Sequence, residues 1–152
     1  MNRRGTLAAL AGLFATLPVL QRGAAAAEAK TAHRLALHVD QNDAAVMSLA
    51  LGNAGNVQSY FDERGESVAI EIVAYGPGLH MLRQDSSPVK ERIAAMSEKN
   101  PHLVFSACNN TKERMEAIEG KEIVLLPQAK LVPAGVVRLM LLQEEGWAYV
   151  RP

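Results

Sequence analysis

Three short runs rich in apolar residues, 34–39 (RLALHV), 68–75 (VAIEIVAY) and 102–107 (HLVFSA), are each followed by a loop signal and then by a segment with helical spacing. A strand followed by a helix long enough to return to the starting edge of the sheet is the pattern of parallel strands joined by crossovers. That alternation predicts an α/β fold with a mainly parallel sheet, its faces covered by helices.

The loop signals differ in kind. The first run stops at Asp40-Gln41-Asn42-Asp43, the second enters Gly76-Pro77-Gly78, and the third is followed at once by Cys108. After the first loop, Val46, Ala50, Ala54, Val57 and Phe61 recur every three or four residues and form an apolar helix face. Gly52 and Gly55 each cost this helix about 1 kcal/mol relative to alanine, so tertiary packing must hold it. Ser87-Pro88 reads as a cap with proline in the first turn of a second helix, with Val89, Ile93 and Met96 as its stripe and Asn100-Pro101 as its end. Asn110 is expected to cap a third helix from Thr111, with Glu113 completing a capping-box-like pair, Met115 and Ile118 facing inward and Gly120 closing it. Residues 123–126 fit either a short strand or a helical turn, and residues 130–132 are the preferred fourth strand. Pro133-Ala134-Gly135 opens a nearly all-apolar helix to Leu142, and residues 147–150 make a last strand.

Composition sets the outer limits. With 152 residues, 49% apolar and 21% charged, the chain is suited to one domain with a sizeable core and not to a disordered or coiled-coil protein. Sixteen basic and sixteen acidic residues cancel, which leaves no nucleic-acid footprint. The balance is uneven along the chain: residues 1–27 carry Arg3, Arg4 and Arg22 and no acid, so residues 28–152 are mildly acidic. A positive start, an apolar run over residues 6–20 and small residues ending at Ala27 are the layout of a cleavable signal peptide. Arg3-Arg4-Gly5-Thr6-Leu7 resembles a twin-arginine export signal. The apolar run falls short of the roughly 20 residues of a membrane span, so an exported, periplasmic domain over residues 28–152 without a lasting membrane anchor is expected.

Ligands of open parallel sheets gather where the strands end, because loops converge there and helix N-termini point N–H groups at the same edge. Gln41 and Asn42, Gly76 and Gly78 with His80, and Cys108 with Asn109 and Asn110 map to that edge. A thiol ahead of a helix is placed to favour the thiolate, and Lys112 and Arg114 add nearby positive charge. The alternative for Cys108 is a buried cysteine acting as a small hydrophobe, and for His80 a polar surface residue. The only cysteine of the chain cannot form an internal disulfide or a multi-thiolate zinc site. His33 and His38, five apart, suit neither one helix face nor one strand face, and His102 lies at the opposite end of its strand from Cys108, so no metal site is expected. The glycine-proline loop lacks the lysine of a phosphate loop and reads as a tight turn, and Ser106 is expected to face the core.

Residues 105–111 (FSACNNT), then 132–137 (VPAGVV) and the ending 143–152 (QEEGWAYVRP), resemble the DsrE/DsrF-like family, in its exported single-domain branch. The resemblance spans the whole of residues 28–152. It implies a three-layer α/β/α fold with a five-stranded, mainly parallel sheet and homo- or hetero-oligomers such as trimers and hexamers. It also implies sulfur relay through a cysteine persulfide, with no cofactor and with a donor or acceptor protein as partner. Carried over by position, Cys108 is the sulfur carrier; Gln41, Asn42, Gly76, Gly78, His80, Asn109, Asn110 and Gly135, at or near the same edge, are the candidate rim. Asn109 departs from the glycine expected after that cysteine, and export departs from the cytoplasmic setting of the relay members. The competing reading is an oligomeric binding module whose cysteine is incidental, and a third is a redox sensor acting through a mixed disulfide.

Overall fold

The computed structural model describes residues 33–152, so the leader sequence over residues 1–27 and its cleavage near Ala27 lie outside the described residues. The elements run β1 (His33–Val39), α1 (Ala44–Asp62), β2 (Val68–Ala74), a 3-10 helix (Gly76–Leu82), α2 (Lys90–Lys99), β3 (Leu103–Cys108), α3 (Asn109–Glu119), β4 (Ala129–Val132), α4 (Gly135–Glu144) and β5 (Ala148–Val150). The five strands form one sheet in the order β4-β3-β2-β1-β5, and every pairing is parallel.

That order explains the layers. From β1 to β4 each strand is laid beside the last, and α1, α2 and α3 pack with the 3-10 helix on one face. The chain then crosses the other face through α4 to place β5 beyond β1. One face therefore holds the main core, with Leu35, Leu37, Ile70, Ile72, Phe105 and Ala107 of the strands under Met47, Leu51, Leu79 and Ile93. Each fully buried large side chain contributes about 1.5–3 kcal/mol. The other face has a smaller core of Ala36, Val73, Leu139 and Leu142, edged by Tyr75 and Trp147. The two faces are thus covered unequally, which the even alternation of strands and helices does not foretell.

Several local expectations change. The buried stripe of α1 is Met47, Ala50, Leu51 and Ala54, with Val57 and Phe61 partly buried; Asp43 caps the helix by accepting from the N–H groups of Ala45 and Val46. The segment after β2 is a buried 3-10 helix and not merely a turn, because Leu79, Met81 and Leu82 insert into the main core. Ser87 is buried one turn before α2, where it donates to the Met81 carbonyl and accepts from Val89, so it closes the preceding turn instead of capping the helix. Helix α3 starts at Asn109, with Cys108 itself in the N-cap position, so Asn110 lies inside the helix. The side chain of Glu113 accepts from Asn109 Nδ2 at 2.8 Å. Met115 is half-buried against the core, but Ile118 is 77% exposed, because α3 lies at the margin of the sheet over β3 and the 3-10 helix. Residues 123–126 form neither helix nor a named strand; Leu125 makes one antiparallel bridge to Arg83. Among the described residues, no helix is long and apolar enough to cross a membrane.

Candidate functional site

The strand register carries Cys108 to the site. Alternate residues of a strand share a face. Glu71 bonds Arg138 of α4, and Val73 and Tyr75 pack with the α4-side core, so their phase of β2 faces α4. The pairings Val73↔Ser106 and Ala74↔Ala107 put Ser106 and Cys108 on that same face of β3. Tyr75 and Cys108 therefore stand side by side at the carboxyl ends of neighbouring strands. Ser106 is buried as expected, yet its hydroxyl is used: it donates to Glu71 Oε1 at 2.6 Å, and Glu71 also binds the Arg138 guanidinium through both oxygens.

Around Cys108 opens a cleft of about 650 Å³, walled by the 3-10 helix, α3 and the start of α4. Six of the expected residues line it: Cys108, Asn42, Gly76, His80, Asn110 and Gly135. Gly78 lies beneath the wall, where a Cβ would stand 2.2 Å from the Val39 carbonyl oxygen. This explains a glycine there without giving it a ligand role. Gln41 is exposed and does not line the cleft, and Asn109 is turned to Glu113. The Cys108 thiol is buried at the cleft floor, with 5% of the residue exposed.

The walls are tied together locally. The Gly76 N–H donates to Thr111 Oγ1 at 2.9 Å, joining the end of β2 to α3, and the Asn110 N–H donates to the Pro133 carbonyl at 3.2 Å, joining α3 to the start of α4. His80 Nδ1 lies 2.8 Å from Ser86 Oγ. Gly135 has no room for a side chain, since a Cβ would come within 2.8 Å of Tyr75 Cβ and Cδ1. Lys112 is engaged by Glu116, whereas Arg114 lines the cleft and is the one lining residue with a formal charge at neutral pH among the described residues.

Tyr75 is the main residue that sequence reasoning missed. Its ring stacks on His38 with centroids 4.7 Å apart, and burial, then Asp40 and Tyr149, push its hydroxyl pKa up. The usable signal was its place as the last residue of the second apolar run, one step from the loop. His38, set aside as a ligand, is buried: its Nδ1 lies 2.8 Å from the Tyr149 hydroxyl, and burial holds its pKa below 6.5. Among the described residues no group of three or more His, Cys, Asp or Glu is gathered as a metal site.

No protein-family model matches the chain, and no curated protein matches it. A solved structure does: MTH1491 of Methanobacterium thermoautotrophicum, described as a protein of unknown function, is 32% identical, with a TM-score of 0.66 over 79% of this chain and 99% of its own. The two chains belong to one family. The archaeal relative spans little beyond the shared region, so the fold described above is essentially the whole of that protein.

Proposed function

We propose that the chain is an exported, DsrE/DsrF-like sulfur-handling protein in which Cys108 carries sulfane sulfur as a persulfide. The observation that supports this best is the position of the cysteine, at the floor of a cleft where β3 ends and α3 begins. The thiolate attacks the outer sulfur of a donor persulfide RS–SH; the new S–S bond forms on Cys108, the old one breaks, and RS⁻ leaves to take a proton from solvent. The step needs no cofactor. The start of α3 and Arg114 offer positive potential to the bound sulfur anion. Of the segments that resemble DsrE/DsrF-like proteins, 105–111 and 132–137 border this edge of the sheet, and 143–152 reaches it through the end of β5 and Arg151, which binds Asp40.

Incubation with polysulfide followed by intact-mass measurement tests the reading. A gain of one sulfur on the wild type, lost in Cys108→Ser, is expected; no gain, or an equal gain in the variant, overturns it.

Self-association belongs to the same proposal. Helix α4 leaves Leu141 exposed, and beside it Val104, Leu131, Val132 and Pro133, together with Glu71, Lys130 and Arg138, line a groove of about 520 Å³ along β3 and β4. Exposed apolar surface of this kind is what a subunit contact covers.

A further inference from the structure

A second cavity, of 430 Å³, lies on the other side of Tyr75, between α4 and the strands β1 and β5. Val136, Val137, Leu139 and Met140 form its apolar wall, and His38, Tyr75, Tyr149 and Gln143 supply its aromatic and polar groups. Tyr75 and Val136 line both this cavity and the Cys108 cleft, so the two spaces adjoin along that pair. Val136 is largely exposed, and the Tyr75 ring is held between His38 and the start of α4. The boundary is therefore a fixed aromatic ridge that a ligand crosses from the solvent side.

His38 indicates what the second cavity takes. It is 6% exposed, and its Nε2 is fully buried with no hydrogen-bond partner; the nearest carboxylate, Asp40, is 3.7 Å away and is engaged by Arg151 at 2.8 Å. Because that nitrogen is fully buried, a ligand in the cavity meets the His38 ring and not a free hydrogen-bonding atom. No lining residue of this cavity carries a formal charge when His38 is neutral. Cavities of about 300–1,000 Å³ with apolar walls and few polar groups suit small organic molecules.

We propose that the Cys108 cleft and the His38 cavity form one composite site, whose substrate is a small organic persulfide with an uncharged carbon skeleton. The sulfane sulfur lies at Cys108, and the organic group crosses the Tyr75 ridge into the His38 cavity. In the transfer, Cys–S⁻ and RS–SH become Cys–S–SH and RS⁻, so the leaving thiolate departs with its organic group seated in the second cavity. The inference rests on the persulfide reading for the chemistry, but the cavity can be probed without it.

Neutral methanethiosulfonates of two sizes, methyl and benzyl, modify a thiol by the same route: the thiolate attacks the sulfenyl sulfur, the S–SO₂ bond breaks and methanesulfinate leaves. On the full chain the benzyl-to-methyl rate ratio at Cys108 is expected to exceed that of free cysteine by about tenfold, the factor expected from burying a few methylene equivalents. Gln143→Trp, which fills the cavity from an exposed helix position, should return the ratio to that of free cysteine, and Met140→Trp serves as a second filling variant. A wild-type ratio equal to that of free cysteine, or a raised ratio that survives filling in folded variants, overturns the composite site. The polysulfide mass test keeps the two claims apart. Sulfur loading without size preference removes the composite site alone, whereas size preference without sulfur loading removes the persulfide chemistry and leaves the cavity standing.

Discussion

Burial of His38 couples the stability of the protein to pH. Desolvation lowers its pKa more than Asp40 raises it, and Arg151 adds to the lowering. The folded value lies below the unfolded one, so the unfolded chain takes up the proton first as the pH falls. The stability from keeping the ring neutral is complete above about pH 6.5 and is lost as the pH drops toward the folded value. Tyr75 also faces the ring, and its raised pKa keeps it uncharged in this window. Urea midpoints measured at about pH 7 and about pH 5 should fall for the wild type and fall less for His38→Gln. Equal falls would remove His38 as the cause. At this scale the sequence was legible for the position of Cys108, at the end of β3 beside the cleft. It was not legible for Tyr75 and His38, whose roles come from neighbours on other strands.

Among the elements, α3 matters most to the site because it carries the wall beside Cys108. Its far end is anchored by Arg83, a residue 2% exposed that donates to Glu119 at 2.5 and 2.9 Å and to Asp85 at 2.9 and 2.8 Å. The carboxylate of Asp85 is held well below the usual range, first by Arg83, and that of Glu119 is lowered by the same guanidinium. Replacing Arg83 by methionine leaves both acids to Lys121 alone, 3.1 Å from Asp85 and 3.5 Å from Glu119. Because both reach solvent and keep Lys121, no buried charge is stranded, and the expected cost is that of lost charged hydrogen bonds, about 1.5–3 kcal/mol by chemical denaturation. A cost near zero would mean that α3 is held by packing alone. Periodicity gave the strands, the four α-helices and the opening of α4 but not the 3-10 helix, and the starts of α2 and α3 were misplaced. Cys108 occupies the N-cap of α3 because β3 runs directly into the helix, and a cap motif placed by residue type cannot register so tight a junction.

At the scale of the whole molecule, the chain's last crossover decides which surfaces remain open. Three helices cover one face, and a single ten-residue helix crosses a five-stranded sheet on the other, leaving the groove beside β4 open. The expected consequence is a molar mass by light scattering that is a multiple of the protomer's, reduced by Leu141→Lys, which puts a further charge at the groove. A monomeric wild type would remove self-association from the proposed function. Hydrophobic periodicity by itself determined the α/β class, the run of elements and the edge where Cys108 lies, because these follow from local spacing along the chain. Only the tertiary structure decided the order β4-β3-β2-β1-β5, the unequal faces and the meeting of Tyr75, His38 and Cys108. Those depend on which strands pair and in what register, and pairing energy comes from contacts between residues far apart in the chain.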